Sequence, residues 1–152
     1  MSVLSLADVY AARRRIERRV LRTPLVESHA LSAVANAPVY LKLETVQPTG
    51  SFKLRGATNA LVRLAEAGCA RVVTASTGNH GRAVAHDARA LGIEAAVCMS
   101  SLVPSNKVNA VRALGAVGRT SSAGARTMRN TKRNASCAKK ATRTCRRSII
   151  ST

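Results

Sequence analysis

Two short stretches of this chain hold side chains whose types and spacing could do chemistry. The first is "PTGSFKLRGATNA" (residues 48–60), where Lys53 follows a turn of small and polar residues and opens a segment that reads as helix. A lysine amine attacks carbonyl carbons and, once its proton is gone, abstracts protons; both roles require a lowered pKa. The thirteen residues alone fit a solvated helix lysine equally well. The second is "TASTGNHG" (residues 74–81), which leaves a strand and enters a helix. Backbone N–H groups and the helix dipole favour an anion at such a junction. Ser76 and Thr77 add hydroxyl donors, Gly78 admits close backbone approach and Asn79 offers an amide. No Gly-Lys-Ser/Thr follows, so this is not the phosphate loop of nucleotide enzymes, and a small carboxylate suits it better. For the octapeptide alone, an ordinary N-capped turn explains the residues as well. His80 and His86 are six apart, off the i, i+4 spacing of a shared metal, and no metal site is expected.

Positioning these residues requires a frame, and the pattern supplies one. Ser5 can cap a helix whose apolar side is Leu6, Val9, Tyr10, Ile16 and Val20, with Arg13, Arg14, Arg15, Arg18 and Arg19 mostly on a solvated outer face. Thr23 before Pro24 stops it, because the residue before proline is pushed toward extended geometry. "PVYLKLE" (38–44) alternates as a strand does, and helix returns from about Phe52 to Ala67. From residue 71 the order is strand ("RVVTA"), helix to Gly92, strand ("IEAAVCMS") and helix to Gly115. The tetrad Arg-Ala-Leu-Gly closes both helices, its glycine suited to the left-handed conformation past a helix end. Strand and helix alternating through short joints imply an α/β fold of parallel βαβ units, which places ligands beyond the carboxyl ends of the strands.

Composition narrows the partners. With two Tyr, one Phe and no Trp, the core must be aliphatic. The net charge of +18 would suggest nucleic acid, but it is unevenly spread. Residues 1–118 carry fifteen Lys and Arg against all seven acids, whereas residues 119–152 carry ten basic residues and no acid. No apolar run approaches the roughly 20 residues of a membrane span, and the N-terminus lacks the basic-then-apolar pattern of a secretory leader. Cys69, Cys98, Cys137 and Cys145 show no metal-ligand spacing, which fits reduced thiols in the cytoplasm.

Taken together, "SFKLRGA" and, about twenty-five residues on, "STGNHG" resemble the fold-type II enzymes that use pyridoxal phosphate. These include threonine and serine dehydratases, serine racemase and threo-3-hydroxyaspartate ammonia-lyase. The likeness takes in "RTPL", "QPTGSFKLRGA", "VVTASTGNHGRAVAH" and "RALGA", covers residues 1–116, and within the family is strongest to the hydroxyectoine-utilization dehydratases. The resemblance implies pyridoxal 5'-phosphate as cofactor. It implies that Lys53 forms the Schiff base with the cofactor aldehyde and, once freed, takes the substrate α-proton. Phe52 would pack near the cofactor ring, Ser51 would shape the turn, and Asn79 would bond the ring oxygen. Ser76, Thr77, Gly78 and His80 would hold the substrate carboxylate, and Thr77 stands where a racemase has its opposite-face acid/base. The implied reaction is β-elimination from a small hydroxy amino acid, giving a 2-oxo acid and ammonia. Serine racemase and threo-3-hydroxyaspartate ammonia-lyase chemistry are the alternatives. The family is usually homo-oligomeric, which the resemblance does not by itself extend to this chain.

The likeness implies three segments: residues 1–67 as the lysine-bearing N-terminal part of the large domain, 68–118 as an incomplete small βαβ domain, and 119–152 as a basic tail foreign to the family, expected to be disordered. Read one base out of frame, the tail back-translates to an acidic, amphipathic segment like the family's continuation, which suggests a one-base insertion or deletion after about residue 117. On that expectation the chain is a C-terminally truncated dehydratase without its phosphate-holding loop, and organised turnover is not expected of it. A nucleic-acid-binding protein is the alternative from another class. It rests on the tail's charge alone and lacks interleaved aromatic residues.

Overall fold

The computed structural model describes residues 4–121 and 149–150. Helix α1 (Leu6–Ile16) starts where a capping box forms: Ser5 Oγ accepts from the Asp8 N–H, and the Asp8 carboxylate accepts from the Ser5 N–H. It ends four residues before Val20, and the expected inward apolar side is exposed at Leu6, Val9 and Tyr10. The reason is that, among the described residues, α1 packs mainly on one helix, α3 (Lys53–Glu66). Arg15 departs from the expected solvated face, since its guanidinium donates to Asn59 Oδ1 on α3 at 2.6 Å.

Strand β1 (Leu25–Glu27) pairs antiparallel with β2 (Tyr40–Lys42), and α2 (His29–Ala35) bridges them. β1 and α2, at three and seven residues, are too short to show a period in the sequence. A 3-10 turn over Glu44–Val46 leads from β2 to α3.

The main sheet is parallel, in the order β5-β4-β3-β6. β3 (Arg71–Ala75) and β4 (Glu94–Ser100) flank α4 (Asn79–Leu91), and β4 and β5 (Val117–Ser121) flank α5 (Ser105–Ala113). This is the expected βαβ alternation. Both Arg-Ala-Leu-Gly tetrads end as anticipated, with Gly92 at φ +68° and Gly115 at φ +86°. The two-residue β6 (Ile149–Ile150) pairs with β3 at Val73 and Thr74. Pairing of β5 with β4 continues past the expected boundary at residue 118, through Ser121. Apart from 119–121 and 149–150, the tail expectation falls outside the described residues.

One aliphatic core joins Leu54, Ala57 and Leu61 of α3 to Val72, Val84, Val97 and Met99 of the sheet and α4, so it draws on residues from both sides of 67. The close seating of α4 on β4 depends on Gly81, where an added Cβ would stand 2.9 Å from Val97 Cγ1. Between α3 and α4 the buried Thr58 Oγ1 lies 2.5 Å from Asp87 Oδ2, and His86 Nδ1 lies 3.1 Å from Asp87 Oδ1.

Candidate active site

Lys53 is the first residue of α3, a helix with no side-chain cap at its start. Its amine sits 5.1 Å from the centroid of the Phe52 ring, which is 58% exposed. Ahead of it, Gly50 takes φ +73° to turn the chain, and the hydroxyls of Thr49 and Ser51 are buried without a hydrogen-bond partner among the described residues. The turn therefore fixes Ser51 inside and leaves Phe52 and Lys53 reachable.

The loop 76–78 runs from the carboxyl end of β3 into α4. Ser76 Oγ accepts from the N–H of Gly78 (3.3 Å) and of Gly81 (3.0 Å), so its oxygen ties the loop down while its own proton remains to be donated. Thr77 and Asn79 are exposed, and α4 begins at Asn79 without a side-chain cap. An added Cβ at Gly78 meets nothing within 4 Å. A cavity of about 100 Å³ lies against the loop, lined by Thr77, Gly78, Asn79, Arg82, Met99 and Lys107 among others, with two cations and no acid in that lining. His80 is buried, and its Nε2 lies 3.1 Å from Thr74 Oγ1. Burial, and then the positive charge of Lys53, hold its pKa below the ordinary 6.5, so the ring is neutral at pH 7. Helix α3, which Lys53 opens, and α4, which the loop enters, pack on each other, with Thr58 of α3 meeting Asp87 of α4.

A cluster not singled out in the sequence anchors the lysine's helix. Arg55 grips Glu44 with two parallel bonds, Nε to Oε2 at 2.9 Å and Nη2 to Oε1 at 2.7 Å. Glu44 also accepts from Thr23 Oγ1 at 2.6 Å and Gln47 Nε2 at 3.3 Å. Gln47 is itself latched to both the N–H and the carbonyl of Leu21. The Arg55 bonds, then the hydroxyl and amide donors, lower the Glu44 pKa from 4.5 to about 2. The signal was available: Glu44 is the only acid between Glu27 and Glu66, set among basic residues. Among the described residues no group of His, Cys, Asp and Glu could hold a metal, and no helix is long and apolar enough to cross a membrane.

The class the structure defines is an α/β fold with a parallel sheet, a lysine at the start of α3 and a loop of hydroxyl, amide and glycine residues at the start of α4. A family profile described as "Pyridoxal-phosphate dependent enzyme" matches residues 16–147, and the chain belongs to that family. Pyridoxal 5'-phosphate is thus its family's cofactor. A Sinorhizobium fredii relative that carries a threonine dehydratase name is 54% identical over 120 residues, covering 78% of this chain and 36% of its own. An L-threo-3-hydroxyaspartate ammonia-lyase from a Pseudomonas species is 44% identical over 117 residues, 76% of this chain and 37% of its own. The crystal structure of serine racemase from Dictyostelium discoideum superposes with a TM-score of 0.82 at 32% identity, covering 98% of this chain and 47% of that one. The chain spans about a third of the length of the curated relatives it matches.

Proposed function

We propose that this chain is the lysine-bearing part of a pyridoxal-phosphate dependent dehydratase or ammonia-lyase acting on a small hydroxy amino acid. The observation that carries it is the packing of α3, which Lys53 opens, against α4, which the 76–78 loop enters, through the buried Thr58–Asp87 contact. The residues present fit the aldehyde and ring end of the cofactor: an amine, an exposed aromatic ring and an exposed amide. When bound, the cofactor supplies an electron sink for charge developing at the substrate α-carbon.

The chain's own groups have separate tasks. Lys53 would hold the cofactor covalently and, once released from it, take the α-proton. Asn79 would donate to the ring oxygen, and Phe52 would cover the ring. Thr77, the Ser76 hydroxyl and the backbone of Gly78 would hold the substrate carboxylate. Two cations at the adjoining cavity, Arg82 and Lys107, favour the same charge. His80, expected to share in holding that carboxylate, is buried with its Nε2 3.1 Å from Thr74 Oγ1, and we assign it instead to supporting the loop from beneath. The β-hydroxyl leaves and water replaces the amino group, so the net products are a 2-oxo acid and ammonia. The stretch "VQPTGSFKLRGATNA" (residues 46–60) around Lys53 favours the hydroxyectoine-utilization branch, and the reduced-thiol reading favours a cytoplasmic setting. Racemase or hydroxyaspartate lyase chemistry would instead show in the products formed by a family-length protein carrying these residues.

Reductive trapping tests the central assignment. The chain is mixed with pyridoxal phosphate, reduced with borohydride and mapped by mass spectrometry. Label concentrated on Lys53 and lost in Lys53→Ala supports it; label spread evenly over the lysines refutes it. A frame shift after about residue 117 would account for pairwise relatives aligning over 115–120 residues and for a tail of ten basic residues without an acid, whereas the family match running to residue 147 speaks against it. Sequencing the gene across codons 116–119 tests this, and an intact frame there discards it.

A further inference from the structure

The geometry points to the Glu44–Arg55 fork, seated on Thr23 and Gln47, as the device that aims the Lys53 amine. This rests on the assignment of Lys53 as the cofactor-holding lysine. The start of α3 has no side-chain cap, so something else must fix its first turn. Successive helix residues are about 100° apart around the axis, which places Leu54 and Arg55 at about 100° and 200° from Lys53. Leu54 is fully buried in the core. Arg55 is held on another side by the fork, and its Nη2 donates also to the Leu21 carbonyl at 3.0 Å. The first turn is thus gripped at two points around its circumference, and the rotation that would swing Lys53 is blocked.

The Glu44 carboxylate has its acceptor positions filled by four donors, two from Arg55, one from Thr23 and one from Gln47. It therefore cannot trade partners without loss. The segment it binds is held too, because Lys42 Nζ donates to the Thr23 carbonyl. A side-chain end lies about 5–6 Å from the helix axis, so a turn of the helix end by about 10° moves it by roughly 1 Å. Misplacement on that scale costs up to about 100-fold in a reaction that needs contact geometry. None of Thr23, Glu44, Gln47 and Arg55 reaches Lys53, so each is a positioning residue.

The test is the trapping yield at Lys53 divided by that at Lys107 on α5, in the full chain, under conditions where circular dichroism shows each variant folded. Arg55→Lys keeps the charge and loses the fork; Glu44→Gln keeps the shape and loses the charge. Both are expected to lower the ratio by about 10-fold or more. Thr23→Val is the milder variant should those two not fold, and Thr23→Ser, which keeps the hydroxyl, is expected to restore the wild-type ratio. General loosening would not produce that serine–valine difference, nor faster amide exchange confined to residues 53–56. A wild-type preference for Lys53 that survives unchanged in folded variants overturns the fork's role alone. The absence of any wild-type preference overturns the Lys53 assignment and the fork's role with it.

Discussion

Replacing Glu44 by glutamine should change how stability depends on pH. In the folded chain the carboxyl titrates at about 2, against an ordinary 4.5, because Arg55, Thr23 and Gln47 all donate to it. The folded state then binds fewer protons than the unfolded state between those values. The stabilisation is fully present above pH 4.5 and is lost as pH falls through about 2. A shift of this size corresponds to about 3 kcal/mol, and this is an upper figure because the side chain keeps 17% of its exposure. Glutamine has nearly the shape of a protonated glutamate, so at this one position the variant is at every pH what the wild type becomes once Glu44 is protonated. Urea unfolding of both proteins, followed by circular dichroism from pH 6 to pH 2, should show a gap of up to about 3 kcal/mol that closes toward zero at the acid end. A gap that stays constant across the range would refute the fork as an ionised pair, and a gap absent at pH 6 would refute it as a stabilising one.

Three further outcomes follow from single contacts. Gly81→Ala places a methyl 2.9 Å from Val97 Cγ1, so it should cost about 1–3 kcal/mol in thermal unfolding; shortening Val97 to alanine in the same chain should recover part of it. Thr58→Val removes the hydroxyl from the buried Asp87 and should cost about 1–3 kcal/mol, measured by urea unfolding at pH 7. The His80 ring should titrate below 6.5 by nuclear magnetic resonance, and Lys53→Met should raise that midpoint, since one of the two causes of its depression is removed. An unmoved midpoint in Lys53→Met would mean that the two stretches are not adjacent.

What the sequence disclosed follows from how each element earns its stability. The strands and helices from Arg71 to Ala113 bury a continuous aliphatic layer, so their periods are written in the residues, and the closing glycines at 92 and 115 mark the helix ends. Lys53 and the loop at 76–80 stood out because few side chains can do such chemistry, and each lies at the start of a helix in the structure. β2 showed in the alternation of "PVYLKLE", though the strand is shorter, Tyr40–Lys42; β1 and α2 did not show, since β1 exposes every residue and holds by pairing, and α2 buries none. Arg15 was misplaced for a related reason: its bond to Asn59 is a tertiary contact spanning 44 residues, which no local pattern encodes. The glycine that close packing demands, Gly81, was hidden within a helix and overshadowed by Gly78 of the loop.

The anchoring cluster explains why residues that do no chemistry surround the lysine so densely in the sequence. An amine at a helix start is poorly fixed by packing alone, because half of the first turn faces away from the core. Leu54 secures the inner side, and burying a second apolar residue outward would have required a partner surface that the exposed β1–β2 pair does not offer. A bidentate ion pair supplies the same restraint at a partly exposed position, where the charges keep some contact with water and the cost of desolvating them is reduced. Thr23 and Gln47 then convert that pair from a surface contact into a filled carboxylate tied to the backbone of Leu21. The motif around Lys53 thus encodes two things at once, the amine and the bracket that holds its helix, and only the first can be read without seeing which residues meet.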